Sequence, residues 1–235
     1  MVKSLFFLAL IIVFFLAGVY ISIASTEVPD ACYKGSNTIS TKIIFQIGYC
    51  DNSYQDEYEG IYIINADGTG KTKLTGKRAD LYRYGWSPDG SKIVFLSGQF
   101  DQKERQDEIY IMNPDGTDKR QLTNTRIYKI SPVWSPDGKK IAFISQKKYF
   151  DGMRFNGAYG YNGWNHDVFS INTDGTSLIN LSNSEDLEEG IPVWSPDGSK
   201  IAYHATEIRN GVRHLDIYVM NADGTNQVCL TKAGD

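Results

Sequence analysis

The sequence predicts an all-β protein built from repeated four-stranded antiparallel sheets. Two strings recur in phase along the 235 residues and carry this prediction. The first is Trp-Ser-Pro-Asp-Gly followed by an apolar run, and it begins at Trp86, Trp134 and Trp194. The second is Asn-x-Asp-Gly-Thr after an apolar run, and its aspartates are Asp67, Asp115, Asp174 and Asp223. The composition agrees, because 15 Tyr and 11 Phe favour strands and 22 Gly suit turns.

The spacing of the strings defines four units and one insertion. The aspartates of the second string lie 48, 59 and 49 residues apart, and the tryptophans of the first lie 48 and 60 apart. Both strings stretch in the same unit, which therefore carries an insertion of about a dozen residues. The units are 31–75, 76–123, 124–182 and 183–231. The first is degenerate, since no Trp-Ser-Pro-Asp-Gly precedes its apolar run at 41–48.

Each unit is expected to contain four short strands. The first strand ends at the tryptophan, and Ser-Pro-Asp-Gly then turns the chain, because Pro presets one corner and Gly takes the left-handed position. The run at 140–143 is an example of a second strand, and the run at 108–112 is an example of a third strand. Asp-Gly is a strong hairpin signal that leads into the fourth strand. A four-stranded unit of 40–50 residues, repeated, predicts a β-propeller with about four blades, as an open arc or a small ring.

The repeated residues are interpreted as structural turn residues, because a catalytic residue is needed once and a turn residue in every blade. A calcium loop is disfavoured, since Ile63 stands where that loop needs an oxygen ligand. We therefore expect neither a metal nor a cofactor. The turn residues are Trp86, Asp89, Gly90, Trp134, Asp137, Gly138, Trp194, Asp197, Gly198, Asp67, Gly68, Asp115, Gly116, Asp174, Gly175, Asp223 and Gly224.

The amino terminus predicts one apolar helix that exports the rest of the chain. Residues 4–26 are uncharged and follow Lys3, so residues 1–26 suit either a signal peptide or a transmembrane anchor. Ser22-Ile23-Ala24 offers a small-x-small cleavage site, whereas an uncleaved helix would keep Lys3 in the cytoplasm. In both cases the propeller at 31–231 is periplasmic or extracellular.

The cysteines and the net charge bound the compartment and the partners. Cys32 and Cys50 flank the first strand region and could form a disulfide, which would leave Cys229 unpaired. The net charge of −4 argues against nucleic acid as a partner, since such proteins present a basic face.

The insertion at 145–167 is the predicted binding surface. It lies in a second-to-third strand link, which in a propeller shares one rim with the links between blades. Aromatic side chains among Gly and Asn, with Arg nearby, are typical of recognition loops. The alternative is a loop that folds its aromatics onto its own blade. The candidate binding residues are Tyr149, Phe150, Arg154, Phe155, Tyr159, Tyr161, Trp164, Arg83 and Arg126.

Hydrolytic chemistry lacks its usual residues. No Gly-x-Ser-x-Gly elbow occurs, and His166, His204 and His214 do not have the spacing of a metal site. We therefore predict no enzymatic activity.

The two strings together resemble the propeller repeat of the TolB family, over residues 41–231. The same repeat occurs in prolyl-oligopeptidase-like enzymes. The resemblance implies a protein-interaction module at the cell envelope. The alternatives are the propeller of such a peptidase and a carbohydrate-binding propeller. TolB carries an α/β domain before six blades, whereas this chain has an apolar segment and four units. A small closed ring, an arc that closes by self-association and a sequence that stops short all fit that count.

Overall fold

The computed structural model describes residues 21–24, 42–49, 57–76, 84–101, 104–125, 127–146, 166–184 and 187–232. Within these ranges the regular elements are strands, and they form four antiparallel sheets of four strands. This confirms the predicted all-β class and the four-stranded unit. The first sheet contains β1 (Ile21–Ala24), β2 (Lys42–Tyr49), β3 (Glu57–Asn65) and β4 (Thr72–Lys73).

The other three sheets repeat the same order of neighbouring strands. The second contains β5 (Tyr84–Trp86), β6 (Ile93–Asp101), β7 (Glu104–Met112) and β8 (Arg120–Gln121). The third contains β9 (Lys129–Trp134), β10 (Lys140–Gln146), β11 (His166–Asn172) and β12 (Ile179–Asn180). The fourth contains β13 (Glu188–Trp194), β14 (Lys200–Arg209), β15 (Val212–Asn221) and β16 (Val228–Cys229).

The repeated aspartates close both hairpins of the second, third and fourth sheets and the β3–β4 hairpin of the first. Asp89 accepts hydrogen bonds from the Ser87 hydroxyl at 2.6 Å and the Ser91 amide at 3.0 Å, and Asp137 and Asp197 repeat this pattern. In the second turn Asp115 accepts from both the amide and the hydroxyl of Thr117. These hydrogen bonds lower the pKa of the aspartates, because they favour the charged carboxylate. Both turns lie at one edge of the sheets, which we call the turn rim.

Consecutive sheets pack face to face, and each has two distinct faces. The face toward the next sheet along the chain, the leading face, is aliphatic: in the second sheet it contains Val94, Leu96, Ile109, Ile111 and Leu122. The face toward the preceding sheet, the receiving face, carries an aromatic pair. The stacked pairs have centroids 5.6–5.8 Å apart and are Phe45–Tyr62, Phe95–Tyr110, Phe143–Phe169 and Tyr203–Tyr218. The core of the molecule therefore lies between sheets.

The tryptophans end the innermost strands and also join neighbouring sheets. Trp134 packs against the cluster between the second and third sheets, and its indole N–H donates to the carbonyl of Gly85 at 3.2 Å. The residue identified as a turn marker thus also holds two sheets together.

The amino-terminal segment differs from its prediction where the structure describes it. Ile21–Ala24 form an innermost strand, with Ile23 opposite Ile43 as Trp86 is opposite Ile93. These four residues are therefore not helical, and the first sheet begins before residue 31. The β-branched Ile21 and Ile23 suit a strand, and the unpaired edge of β2 supplies its hydrogen bonds. The rest of residues 1–26 lies outside the described residues. Among those described, no helix has the length and apolarity to cross a membrane.

A pair of equivalent glycines tests how closely the sheets pack. Gly68 and Gly224 occupy the same turn position with φ of +83° and +88°. A Cβ on Gly224 would lie 2.5 Å from the Leu181 carbonyl oxygen of the preceding sheet, whereas none of the described atoms lies within 4 Å of one on Gly68. Gly68→Ala should cost about 1 kcal/mol through its positive φ alone. Gly224→Ala should cost a further ~1–3 kcal/mol, because backbone must move.

Urea denaturation of both variants measures the difference in the free energy of unfolding. Equal losses for the two glycines would show that the turns of the third and fourth sheets do not touch.

Candidate functional site

The predicted recognition residues lie outside the described residues, but the base of their loop is well placed. Gln146 and His166 form the last pair of the β10–β11 ladder, so the insertion leaves the sheet at the edge opposite the turn rim. We call this edge the link rim. The predicted residues outside the description are Tyr149, Phe150, Arg154, Phe155, Tyr159, Tyr161, Trp164, Arg83, Arg126, Cys32 and Cys50.

Buried acids line the link rim at equivalent positions of three sheets. Glu108, Asp167 and Asp216 each precede the central run of a third strand, and their exposed fractions are 7%, 0% and 1%. The backbone amide of the residue after each acid donates a hydrogen bond to the hydroxyl of a Thr or Ser two residues beyond the fourth strand of the same sheet. The donor–acceptor pairs, 2.8–2.9 Å apart, are Ile109 to Thr123, Val168 to Ser182 and Ile217 to Thr231. This network ties the third strand to the short fourth strand, where only two residues pair in the ladder.

Between the second and third sheets the acid is paired with a cation. Lys129 of β9 is 1% exposed, and its Nζ lies 2.8 Å from Glu108 Oε2. Lys129 also donates to the carbonyls of Asp107 and Ile127, while the Thr125 amide donates to Glu108. Burial lowers the pKa of Lys129, and the Glu108 charge opposes that shift. Lys129 therefore joins the second and third sheets in the interior.

Between the third and fourth sheets the equivalent residue is an acid. Glu189 of β13 is 3% exposed and accepts a hydrogen bond from the Val168 amide at 2.9 Å, on the sheet that carries Asp167. Asp167 accepts from Asn180 at 2.6 Å and from Ser184 at 3.2 Å. Burial raises the pKa of Glu189 to about 7, and the nearby Asp167 adds to the rise. This interface therefore holds two carboxyl groups where its neighbour holds an ion pair.

His166 stands at the foot of the insertion in the same region. Its ring lies 6.2 Å from that of Tyr128 and is 7% exposed. Burial lowers its pKa to about 4, so the imidazole is neutral at pH 7. His204 lies in β14 and His214 lies in β15.

The fourth sheet presents charge pairs at the link rim. Arg213 donates to Glu188 at 2.6 Å, and Arg209 bridges Glu207 and Asp216 at 2.7 and 3.0 Å. The β14–β15 hairpin that carries both arginines has ten paired residues in each strand, and its last pair is Arg209 with Val212. The described part of the rim therefore combines a rigid polar interior with exposed ion pairs.

A shallow cleft of about 250 Å³ lies between the second and third sheets on the turn rim. Its two cations are engaged, since Arg120 donates to the Thr173 carbonyl and Lys92 pairs with Asp118. Across the described ranges, no three His, Cys, Asp or Glu side chains are arranged to hold a metal ion.

The buried acids are the residues that sequence reasoning missed, although a signal for them exists. Each acid immediately precedes the apolar run of a third strand, and a Thr or Ser follows 15 residues later at 123, 182 and 231. This 15-residue spacing between the acid and the Thr or Ser recurs as regularly as the Asp-Gly turns do.

The repeat geometry agrees with comparison to known proteins. Residues 51–155 match the TolB beta propeller domain family, a range that includes all strands from β3 to β10. The chain contains a TolB-like β-propeller. Putative TolB from Agrobacterium tumefaciens is 22% identical, with a TM-score of 0.55 over 79% of this chain and 60% of that one. TolB from Acinetobacter baumannii is 19% identical, with a TM-score of 0.55 over 82% and 42%.

Peptidase propellers share the fold of this TolB-like chain. The acylaminoacyl peptidase of Pyrococcus horikoshii is 17% identical, with a TM-score of 0.58 over 80% of this chain and 30% of that one. The chain therefore spans less than two thirds of each of these solved structures. At these identities the likeness is one of fold. No curated protein sequence matches the chain significantly.

Proposed function

We propose that this TolB-like propeller is an exported, non-enzymatic module that binds a protein partner at the cell envelope through the insertion on the link rim. The observation that supports this role is the rigid base of the insertion. The β10–β11 ladder is paired in register up to Gln146 and His166, and β10 is buried along almost its whole length. A loop on such a scaffold can present aromatic anchors at low cost in entropy.

The chemistry around the loop suits a protein surface. The exposed pair Arg213–Glu188 lies on the fourth sheet and offers both signs of charge on the link rim. Interfaces commonly place aromatic and Arg anchors inside a polar border. The uncharged run at 4–26 supports export to a periplasmic or extracellular location, with this segment acting as a cleaved signal peptide or as an anchor, and fractionation of cells that produce the tagged full chain tests both alternatives.

A photo-crosslinking experiment tests the binding site. A photoreactive amino acid at Trp164 of the full chain should crosslink a discrete envelope protein, because the loop would lie in the interface. The control carries the photoreactive amino acid at Leu178, which is 43% exposed in the second turn of the same sheet, at the turn rim. The Trp164→Ala variant should reduce capture of the same partner by about tenfold or more, as a loss of roughly 1.4 kcal/mol or more would.

The outcomes separate the alternatives. Equal crosslinking from both positions, or unchanged capture after deletion of 150–164, would remove the proposed site. Protection of the loop by glycans in place of a protein would indicate a carbohydrate-binding propeller. Covalent labelling by a serine-hydrolase probe would indicate the peptidase alternative.

A further inference from the structure

The leading face of the fourth sheet is a blade interface that lies uncovered. Its apolar side chains have exposed fractions far above those of their counterparts in the interior sheets. Leu230 is 60% exposed, whereas the equivalent Leu122 and Leu181 are 7% and 5% exposed. Ile217 is 41% exposed, whereas Ile109 and Val168 are fully buried. The same residue types that join the first three sheets to their successors thus face solvent here.

Further members of this face extend the patch. Ile191, Val193 and Leu215 are 54%, 56% and 65% exposed. Ile191 also has a φ of +43°, at the bulge position that Ser131 occupies in the third sheet. A β-branched residue is disfavoured in that conformation. Folding of the fourth sheet alone therefore does not explain why Ile191 exposes an apolar side chain in this conformation. Apolar patches of this kind mark interaction surfaces.

The complementary surface is present on the same chain. The receiving face of the first sheet carries the stacked pair Phe45–Tyr62, which corresponds to Phe95–Tyr110, Phe143–Phe169 and Tyr203–Tyr218 at the three interfaces between the sheets. Ile43 and Phe45 are only half-buried, whereas the equivalent Ile141 and Phe143 are fully buried. In the second turn of this sheet, Gly68 is likewise open, where Gly224 is in contact with the Leu181 carbonyl.

We propose that the chain associates head-to-tail with a second copy, so that the leading face of each fourth sheet covers the receiving face of the partner's first sheet. The occupant is argued from continuity with the interfaces inside the chain. There an aliphatic leading face packs on an aromatic receiving face, and here the two unsatisfied faces are one of each kind. On the receiving face of the first sheet, Ile43 and Phe45 are half-buried beside the buried Tyr62, whereas the leading face of the fourth sheet is exposed, so the described residues of the two faces do not fully cover each other.

Two head-to-tail contacts related by a two-fold axis close a ring. Four sheets from each copy give eight blades, within the range of about 4–8 found in propellers. A heterologous contact that closes in this way avoids an open filament. The proposal is independent of the proposed function, because the insertion on the link rim takes no part in the contact.

Mass measurements on mixed variants of the full chain test the arrangement. A leading-face variant, Leu215→Asp with Leu230→Asp, changes two strongly exposed residues, so it should fold normally. A receiving-face variant, Ala66→Glu, changes an exposed turn residue whose counterpart Thr173 accepts a hydrogen bond from Arg120 of the preceding sheet. Phe45→Asp is a second receiving-face variant. Leu178→Asp is the matched control, since it places a charge at an exposed apolar position away from both faces.

Sedimentation in a density-matched detergent should give a dimer for the unmodified chain and for Leu178→Asp at micromolar concentration. Each face variant alone should be monomeric, with a dissociation constant raised by about tenfold or more. An equimolar mixture of the two face variants should recover a dimer, because one intact face remains on each chain.

Three results would overturn the proposal. A monomeric unmodified chain would assign the face to another occupant, such as a further blade or a different protein. A dimer that survives the leading-face substitutions would place the contact elsewhere. Failure of the mixture to associate, while one face variant alone still dimerises, would indicate a symmetric face-to-face contact.

Discussion

Replacing Lys129 by methionine is expected to lower the free energy of unfolding by about 3–5 kcal/mol. The substitution keeps most of the apolar volume but leaves Glu108 buried without its cation. Glu108 would still accept from Thr123 and the Thr125 amide, yet two neutral donors do not replace a charge 2.8 Å away. Chemical denaturation followed by tryptophan fluorescence measures the loss, since Trp134 lies in the same interface.

A surface pair provides the control for that prediction. Lys92 pairs with Asp118 at 2.6 Å, but the two side chains are 30% and 62% exposed. Lys92→Met should cost no more than about 1 kcal/mol, because water screens and replaces the contact. Adding Glu108→Gln to Lys129→Met should recover part of the loss by removing the orphaned charge. If Lys129→Met and Lys92→Met cost the same, the interior pair does not join the sheets.

The acid pair between the third and fourth sheets should make stability depend on pH in a way that two variants separate. Glu189 has its pKa raised to about 7, so the folded state holds a proton that the unfolded chain releases above about pH 4.5. Its favourable contribution is fully present below pH 4.5 and is lost as the pH rises through 7. His166 acts with the opposite sign, because its pKa is lowered to about 4 and the unfolded chain gains a proton below about 6.5.

Between pH 7.5 and 5 these two contributions nearly cancel in the unmodified chain. As the pH falls from 7.5 to 5, the free energy of unfolding of His166→Gln should rise by about 2 kcal/mol, because only the Glu189 contribution remains. Over the same fall in pH, the free energy of unfolding of Glu189→Gln should drop by about 2 kcal/mol, because only the His166 contribution remains. Burial also lowers the pKa of His204, but this term is common to all three proteins.

Equilibrium denaturation at the two pH values gives the slopes directly. Asp167 lies beside Glu189 in all three proteins, so the comparison isolates the substituted groups. Parallel slopes for both variants would mean that neither residue changes its pKa on folding. Glu189→Lys offers a further check, since it would recreate the Lys129–Glu108 arrangement opposite Asp167 and should remove the loss of stability at neutral pH.

The regular part of the fold could be predicted from local sequence because its signals are local. In Ser-Pro-Asp-Gly the aspartate accepts hydrogen bonds from residues two positions before and two positions after it, as Asp89 does. In Asn-x-Asp-Gly-Thr it accepts from the residue two positions after it, as Asp115 does from Thr117. The strand Ile21–Ala24 could not be predicted in this way. Its four residues lie in an uncharged run that suits a helix, and only pairing with β2 makes them a strand.

For a related reason, the contacts between sheets could not be predicted from the sequence. Lys129 and Glu189 lie just after the links between sheets, and neither is part of a repeated turn string. Their partners lie 21 and 22 residues earlier, at Glu108 and Asp167 on the preceding sheet. A charge at such a position is on the surface or in the interior according to how the next blade packs, which a turn signature does not encode.

The sequence by itself determined the repeat, its turns and the place of the insertion, because hairpin chemistry acts over a few residues and recurs in each unit. Only the tertiary structure decided which charges are buried, that the first sheet recruits Ile21–Ala24, and that the fourth sheet leaves an interface uncovered. Those features depend on which faces meet across long separations in the chain, and burial, unlike a turn, is a property of both partners at once.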